Sequence, residues 1–222
     1  METCYLCERV AVSKEHVPPK CLFPKDKLSS KGLGYRQNLI KVPSCDVHNS
    51  LKSKDDEYLL FLLVTGMYDN DNKEHLFTNK TLKAINRKPH VYESFMKDLK
   101  PTLIKNKLGN VYETATFTVD LKRFDSVIHH IACGIYFHHL GEKWFKNSKV
   151  ISNALIDLSE GNQSINDENE AVFATLRKGF EILPSHGDNP EIFKYKFYSK
   201  NTDKHLIHMT FYEGIEVTVL LV

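Results

Sequence analysis

Cys4-Tyr5-Leu6-Cys7, Lys14-Glu15-His16-Val17-Pro18-Pro19-Lys20 and Asn38-Leu39-Ile40-Lys41-Val42-Pro43-Ser44-Cys45-Asp46-Val47-His48-Asn49 belong to one stretch, 4–49, whose reading decides the fold. Two residues separate Cys4 from Cys7, and two separate Cys45 from His48. A tight turn inside each pair brings both donors onto one ion, and four sulfur and nitrogen donors in two such pairs fit a closed tetrahedral Zn2+ site. A closed site leaves no position for substrate, so the expected zinc is structural and its binding energy is folding energy. Glu15, His16 and Asn49 lie between or just after the ligand pairs and are not needed for the zinc.

These segments resemble the HNH endonuclease family. The resemblance rests on the Cys-x-x-Cys pair, the acid-His-Val-Pro run at Glu15–Pro18, the Leu-Ile-x-Val-Pro-x-Cys run ending at Cys45, and the terminal His48-Asn49. It covers residues 1–60. It implies a ββα-metal module, in which a two-stranded hairpin and a helix clasp one divalent ion. It further implies that Glu15 and Asn49 hold an Mg2+- or Mn2+-like ion, that His16 is the general base, and that Asn38 fixes the loop holding His16. Two positions depart from the family pattern. His48 stands where most zinc-bearing members have a fourth Cys, and Asn49 where many have the last His, giving an H-N-N variant. His48 therefore has two readings, fourth zinc ligand or last catalytic His. The Cys45-x-x-His48 spacing favours the first, and a carboxamide oxygen at Asn49 suits a hard ion.

With 222 residues the chain has enough length for a substantial core in one or two domains. A formal charge of +2 gives no strong global field, but the charge is uneven. Residues 1–54 carry ten Lys/Arg against five Asp/Glu, and 73–110 carry nine against three, whereas 157–191 hold eight acids and two bases. A basic N-terminal half suits a polyanion. Lys20, Lys25, Lys27, Lys31 and Arg36, on or beside the Lys-, Ser- and Gly-rich loop 24–37, are the candidate phosphate contacts. Each would add salt-dependent affinity without sequence information. Five cysteines with two in a ligand pair argue for a reducing, cytoplasmic setting rather than a disulfide scaffold. Cys133, in an apolar helical run, reads as a small buried hydrophobe; Cys21 reads as either a core residue or a spare thiol. No signal peptide is recognised, and the longest apolar run, Tyr58–Val64, is too short to span a bilayer.

Further along, Asn49–Met67 reads as a helix capped by Asn49 or Ser50 and stopped at Gly66, with Asp56 and Glu57 read as ordinary helix-surface acids or as groups standing behind the metal ligands. Residues 70–108 read as helices bounded by Pro89 and Pro101, and Val111–Val119 alternates as a strand. Asp120–Trp144 is a strong helix with apolar residues at three- and four-residue spacing. It carries His129, His130, His138 and His139, whose adjacent positions argue against a second metal site. Residues 159–169 read as a flexible polar loop. Phe193–Tyr198, His205–Tyr212 and Ile215–Val222 read as strands, with turns at 201–203 and 213–214.

The expected fold is therefore α+β: a zinc-stabilised ββα-metal module at 1–68, then helices and a small C-terminal antiparallel sheet at 69–222. The second part is expected to serve docking, dimerisation or substrate binding through 111–222. The expected function is metal-dependent hydrolysis of phosphodiesters, DNA first with RNA left open, in defence against foreign DNA or in a mobile element. The alternatives are a zinc-stabilised module that binds nucleic acid or protein, and a nuclease subunit active only within a larger complex.

Overall fold

The computed structural model describes residues 2–25, 27, 34–50, 52–66, 71–105, 111–155, 157, 163–200 and 204–222. Lys31, Met67 and the expected turn at 201–203 lie outside them. The chain is α+β. Strands β1 (Ser13–Val17) and β2 (Ile40–Ser44) form an antiparallel hairpin in which Glu15 faces Val42 and His16 faces Lys41. Alternation along β1 buries Glu15 and Val17 and leaves His16 half-buried. A 3-10 turn (Lys20–Leu22) leaves β1 beyond the cis Val17–Pro18 bond.

Helix α1 (Ser53–Thr65) buries every residue from Tyr58 to Val64. A helical stretch apolar all round belongs inside the molecule, and α1 packs against the 3-10 turn after β1, the following helices and α5 (Leu121–Leu140). Gly66 ends α1 as its sequence predicts, but the start differs. Asn49 and Ser50 lie in a turn before the helix and neither caps it; Lys52 stands at the N-cap without a side-chain capping bond. Asn49 instead donates its amide nitrogen to Ser13 Oγ at 2.7 Å, so its side chain serves the hairpin.

Beyond α1 come α2 (Asp71–Leu76), a π-helical turn (Phe77–Thr81), α3 (Leu82–Arg87) and α4 (Pro89–Glu93). Here the helical expectation for 70–108 fails in its second half. Residues Lys97–Lys105 form strand β3, paired antiparallel with β4 (Val111–Thr118) as a separate two-stranded ribbon. Pro101 is accommodated because an isolated ribbon is all edge, and an edge strand can lack one ladder donor. β4 therefore pairs with β3 and does not join the C-terminal sheet.

α5 begins at an Asp120 cap, whose side chain accepts from the Arg123 amide, and ends at Gly141 with φ 71°, a left-handed position that suits glycine. Its apolar stripe, Phe124 to Tyr136, faces the core. β5 (Ser148–Ser152) follows, then α6 (Gln163–Phe180), β6 (His186–Asn189), β7 (Phe193–Ser199), β8 (His205–Phe211) and β9 (Ile215–Leu221). Residues 163–169, expected in a flexible loop, are the first two turns of α6. That helix presents few apolar anchors, Phe173 and Phe180 being the buried ones, and its polar N-terminal turns disguise it. The five strands form an antiparallel sheet in the order β5-β9-β8-β7-β6. Tyr195, Met209 and Val217 share one register row on its buried face.

Buried side chains from Cys4 to Leu221 form one continuous core, so residues on both sides of position 68 contribute to it. Specific bonds join the two ends of the chain. Tyr212 donates to the Leu22 carbonyl (2.8 Å), and Lys143 Nζ donates to Thr3 Oγ1 (2.7 Å) and the Cys7 carbonyl (3.0 Å). Among the described residues no helix is long and apolar enough to cross a membrane.

Candidate metal centre and adjoining cleft

The turn holding Cys4 and Cys7 is built by backbone bonds: the Cys4 amide donates to the Arg9 carbonyl and the Cys7 amide to the Cys4 carbonyl. Tyr5 donates its amide to the Pro43 carbonyl, which docks this turn on β2 just before Cys45. The turn after β2 then returns His48. The four donor atoms of Cys4, Cys7, Cys45 and His48 all lie within 4.8 Å of one another, and this is the one such group of His, Cys, Asp and Glu among the described residues. Nδ1 of His48 is 3.4 Å from Cys4 Sγ and 3.5 Å from Cys45 Sγ, while the Cys7 and Cys45 sulfurs are 3.9 Å apart. Tetrahedral zinc with its usual bond lengths requires S–S edges of about 3.8 Å and S–N edges of about 3.5 Å. These three edges match, and with all four donor atoms within 4.8 Å of one another the four residues could hold zinc.

The electrostatics agree. Burial raises the Cys4 thiol, but hydrogen bonds with the Leu6 and Cys45 backbone and with the neighbouring thiols outweigh it and favour its thiolate. Cys7 is pushed up, first by burial and then by the adjacent thiols. Three sulfurs this close cannot all ionise without a cation among them. His48 also packs edge-on against His130 of α5, with ring centroids 5.8 Å apart.

Beside this cluster lies a cleft of about 350 Å³ that Glu15, His16 and Asn49 line together, with Lys20, Asp56 and Lys80. Asn38 is not among its lining residues. It stands before β2 with φ 53° and lines a separate cavity with His138 and His186. Of the expected phosphate contacts, Lys20 reaches the cleft. Lys25 is exposed, Lys27 donates to the Asp71 carbonyl, and Arg36 donates Nε to the Phe23 carbonyl.

His16 has its pKa lowered, chiefly by burial and then by the positive charges of Lys20, Lys41 and Arg36. The imidazole is therefore neutral at physiological pH and able to accept a proton. Glu15 is 5 % exposed and binds Lys52 Nζ through Oε1 at 2.7 Å; the same ammonium binds Asp56 Oδ1 at 2.5 Å. Burial pushes both carboxyls up, and the attraction of Lys52 opposes it. Lys52 is itself 6 % exposed, and its two carboxylate partners hold it ionised against the cost of burial. Asp56 is thus a half-buried partner of Lys52 at the cleft, and Glu57 accepts a hydrogen bond from Tyr92.

Lys52, Lys80, Lys41 and the Ser13 tether are the residues that motif reading misses here. The i,i+4 spacing of Lys52 and Asp56 is the single sequence signal for any of them. Of the two remaining thiols, Cys133 is buried in the core, 3.4 Å from His129 Nε2, and Cys21 is half-buried at the cleft and donates to the Asp56 carbonyl; desolvation pushes both up to about 12. Comparison with protein-family models finds no match, and comparison with curated proteins and with solved structures finds no similar protein.

Proposed function

We propose that the chain is a metal-dependent endonuclease of the HNH type, with the β1–β2 hairpin and α1 as its ββα-metal module. One observation carries this reading: Glu15, His16 and Asn49, the expected general base and metal ligands, line a single cleft beside the Cys4–Cys7–Cys45–His48 cluster, while Asn38, the middle residue of the H-N-N pattern, lines another cavity. The zinc cluster pins the hairpin to the turn that carries Asn49 and takes no part in the chemistry.

Neutral His16 takes a proton from water, and the hydroxide so formed attacks the phosphorus of a phosphodiester, with the 3′ oxygen leaving. Lys20 and Lys80 at the cleft favour a substrate that brings negative charge. Glu15 and Asn49 would hold a divalent ion, one carboxylate and one carboxamide oxygen being a donor set that suits Mg2+ or Mn2+. When bound, that ion supplies charge neutralisation at the phosphate and the leaving oxygen. Asn49 has already committed its nitrogen to Ser13, which leaves its oxygen for such a role.

A second reading draws on the same cleft. Glu15 is already paired with Lys52, so the module also suits a protein that holds nucleic acid without cutting it. Retardation and cleavage of one plasmid, measured with Mg2+, Mn2+ and EDTA, separate the two. The nuclease cuts only with the divalent ion, whereas the binder retards DNA and leaves it intact in all three.

A further inference from the structure

Lys52 Nζ sits between Glu15 Oε1 and Asp56 Oδ1, a bridging position that a metal ion takes in many carboxylate sites. Lys52 and Glu15 are buried and Asp56 is half-buried, with side-chain exposures of 6 %, 7 % and 15 %. Lys52 stands behind the cleft wall and bridges two residues that line it, because the first turn of α1 places Asp56 one turn beyond it and the hairpin presents Glu15 from the other side. Lys20 and Lys80 line the cleft together with Glu15, Asp56 and Glu57, and with Lys52 behind them the ammonium groups match the carboxylates in number. A free divalent ion approaching Glu15 therefore meets an ammonium on one carboxylate oxygen and two more lysines nearby, and gains little. Mg2+-like ions bind through one or two carboxylates completed by substrate phosphate oxygens.

We infer that Lys52 is a resident counter-ion that keeps the cleft from binding a divalent metal on its own, so that the metal enters together with a phosphodiester. The inference rests on the nuclease reading for the identity of Glu15 as a ligand, and it deepens that reading by fixing the order of loading. A phosphate monoanion bound near Lys20 and Lys80 supplies the negative charge and the extra oxygen donors that the protein lacks by itself. Lys52 is a positioning residue here. It holds Glu15 in place through the ion pair that its ammonium shares with Asp56.

The test is Mn2+ binding to the zinc-loaded full chain, followed through the electron paramagnetic resonance of free Mn2+, with a short DNA duplex present or absent. The His16→Ala background keeps the duplex intact, and Glu15→Gln in the same background subtracts Mn2+ held elsewhere. The expected result is Glu15-dependent binding that the duplex tightens by about tenfold or more, the range in which groups around metal ligands act. Lys52→Met should bind Mn2+ without duplex about tenfold more tightly than the parent. Lys52→Gln, which can still hydrogen-bond both carboxylates, should do the same and covers the case in which the methionine variant fails to fold. Tight Glu15-dependent binding by the parent without duplex, or unchanged affinity in a folded Lys52 variant, would overturn the inference. Plasmid cleavage by the wild-type chain, run beside these titrations, reports on the nuclease reading separately. Loss of cleavage with the Mn2+ pattern intact sinks that reading and leaves the role of Lys52 standing.

Discussion

Gly134 is where α5 touches the strand that carries His16. A Cβ built on Gly134 would meet Val17 Cγ2 at 2.6 Å and Cγ1 at 3.0 Å, well inside normal contact. Val17 cannot easily give way, because it is β-branched and 3 % exposed. Forcing a methyl into such a contact costs about 1–3 kcal/mol, and two blocked methyl groups place this case in the upper half of that range. Replacing glycine by alanine inside a helix returns about 1 kcal/mol. Gly134→Ala should therefore destabilise the chain by about 1–2 kcal/mol. Urea unfolding of the zinc-saturated protein, with a slope of about 2–3 kcal/mol per molar, would show its midpoint lowered by about 0.5 M. Adding Val17→Ala opens the space, so the double variant should lose less than the two single losses combined, by about 1–2 kcal/mol. Equal or greater stability for Gly134→Ala, or simple additivity in the double variant, would refute the packing of α5 on β1.

Three further outcomes follow from the site. Cys45→Ser should remove the bound zinc and with it native near-ultraviolet circular dichroism, since structural zinc contributes on the order of 10 kcal/mol in small modules. His48→Cys should keep a stoichiometric zinc if His48 is the fourth ligand, and zinc content measured after dialysis distinguishes this from a catalytic role. Because the His16 pKa lies below 6.5 and its neutral form is the active one, kcat/KM should rise with pH through a limb below 6.5 and be level at neutrality. Lys20→Ala should move that limb upward, and a limb above pH 7 in the wild type would contradict the assignment. At Glu216, burial raises the carboxyl, but hydrogen bonds from His208 and Arg177 outweigh it and hold the group at about 2 against an ordinary 4.5. A depressed carboxylate stabilises the fold above its unfolded pKa and loses that contribution as pH falls from about 4.5 towards about 2. Glu216→Gln should remove that acid-side dependence at a cost near neutrality of about 1–2 kcal/mol, allowing for the exposure of Arg177, as pH-dependent denaturation would show.

What the sequence makes legible follows where physics acts locally. Cys4, Cys7, Cys45 and His48 are readable because two tight turns set their spacing, and the structure brings their donor atoms together. α5 is readable because its core stripe repeats at helical spacing between Asp120 and Gly141, and β7 to β9 because their buried face alternates. Pro101 misleads because its cost depends on whether its strand has a second neighbour, which only the tertiary arrangement decides. Residues 163–169 mislead because α6 buries little apolar surface. The late start of α1 and the burial of Lys52 escape for a shared reason. Asn49 is drawn to Ser13 and Lys52 to Glu15, both partners more than thirty residues away in sequence. Asn38 is readable as a motif residue, yet the structure lines a different cavity with it.

The most direct measurement is the single-turnover rate of supercoiled plasmid cleavage by the wild-type chain and by His16→Ala, matched for zinc content and folded fraction, in Mg2+ or Mn2+ and again in EDTA. A general base contributes on the order of 10²- to 10⁴-fold, so the variant should be slower by at least about a hundredfold, and neither protein should cut in EDTA. Cleavage by His16→Ala at the wild-type rate, or cleavage that persists in EDTA, would contradict the assignment of the Glu15-His16-Asn49 cleft as the hydrolytic centre.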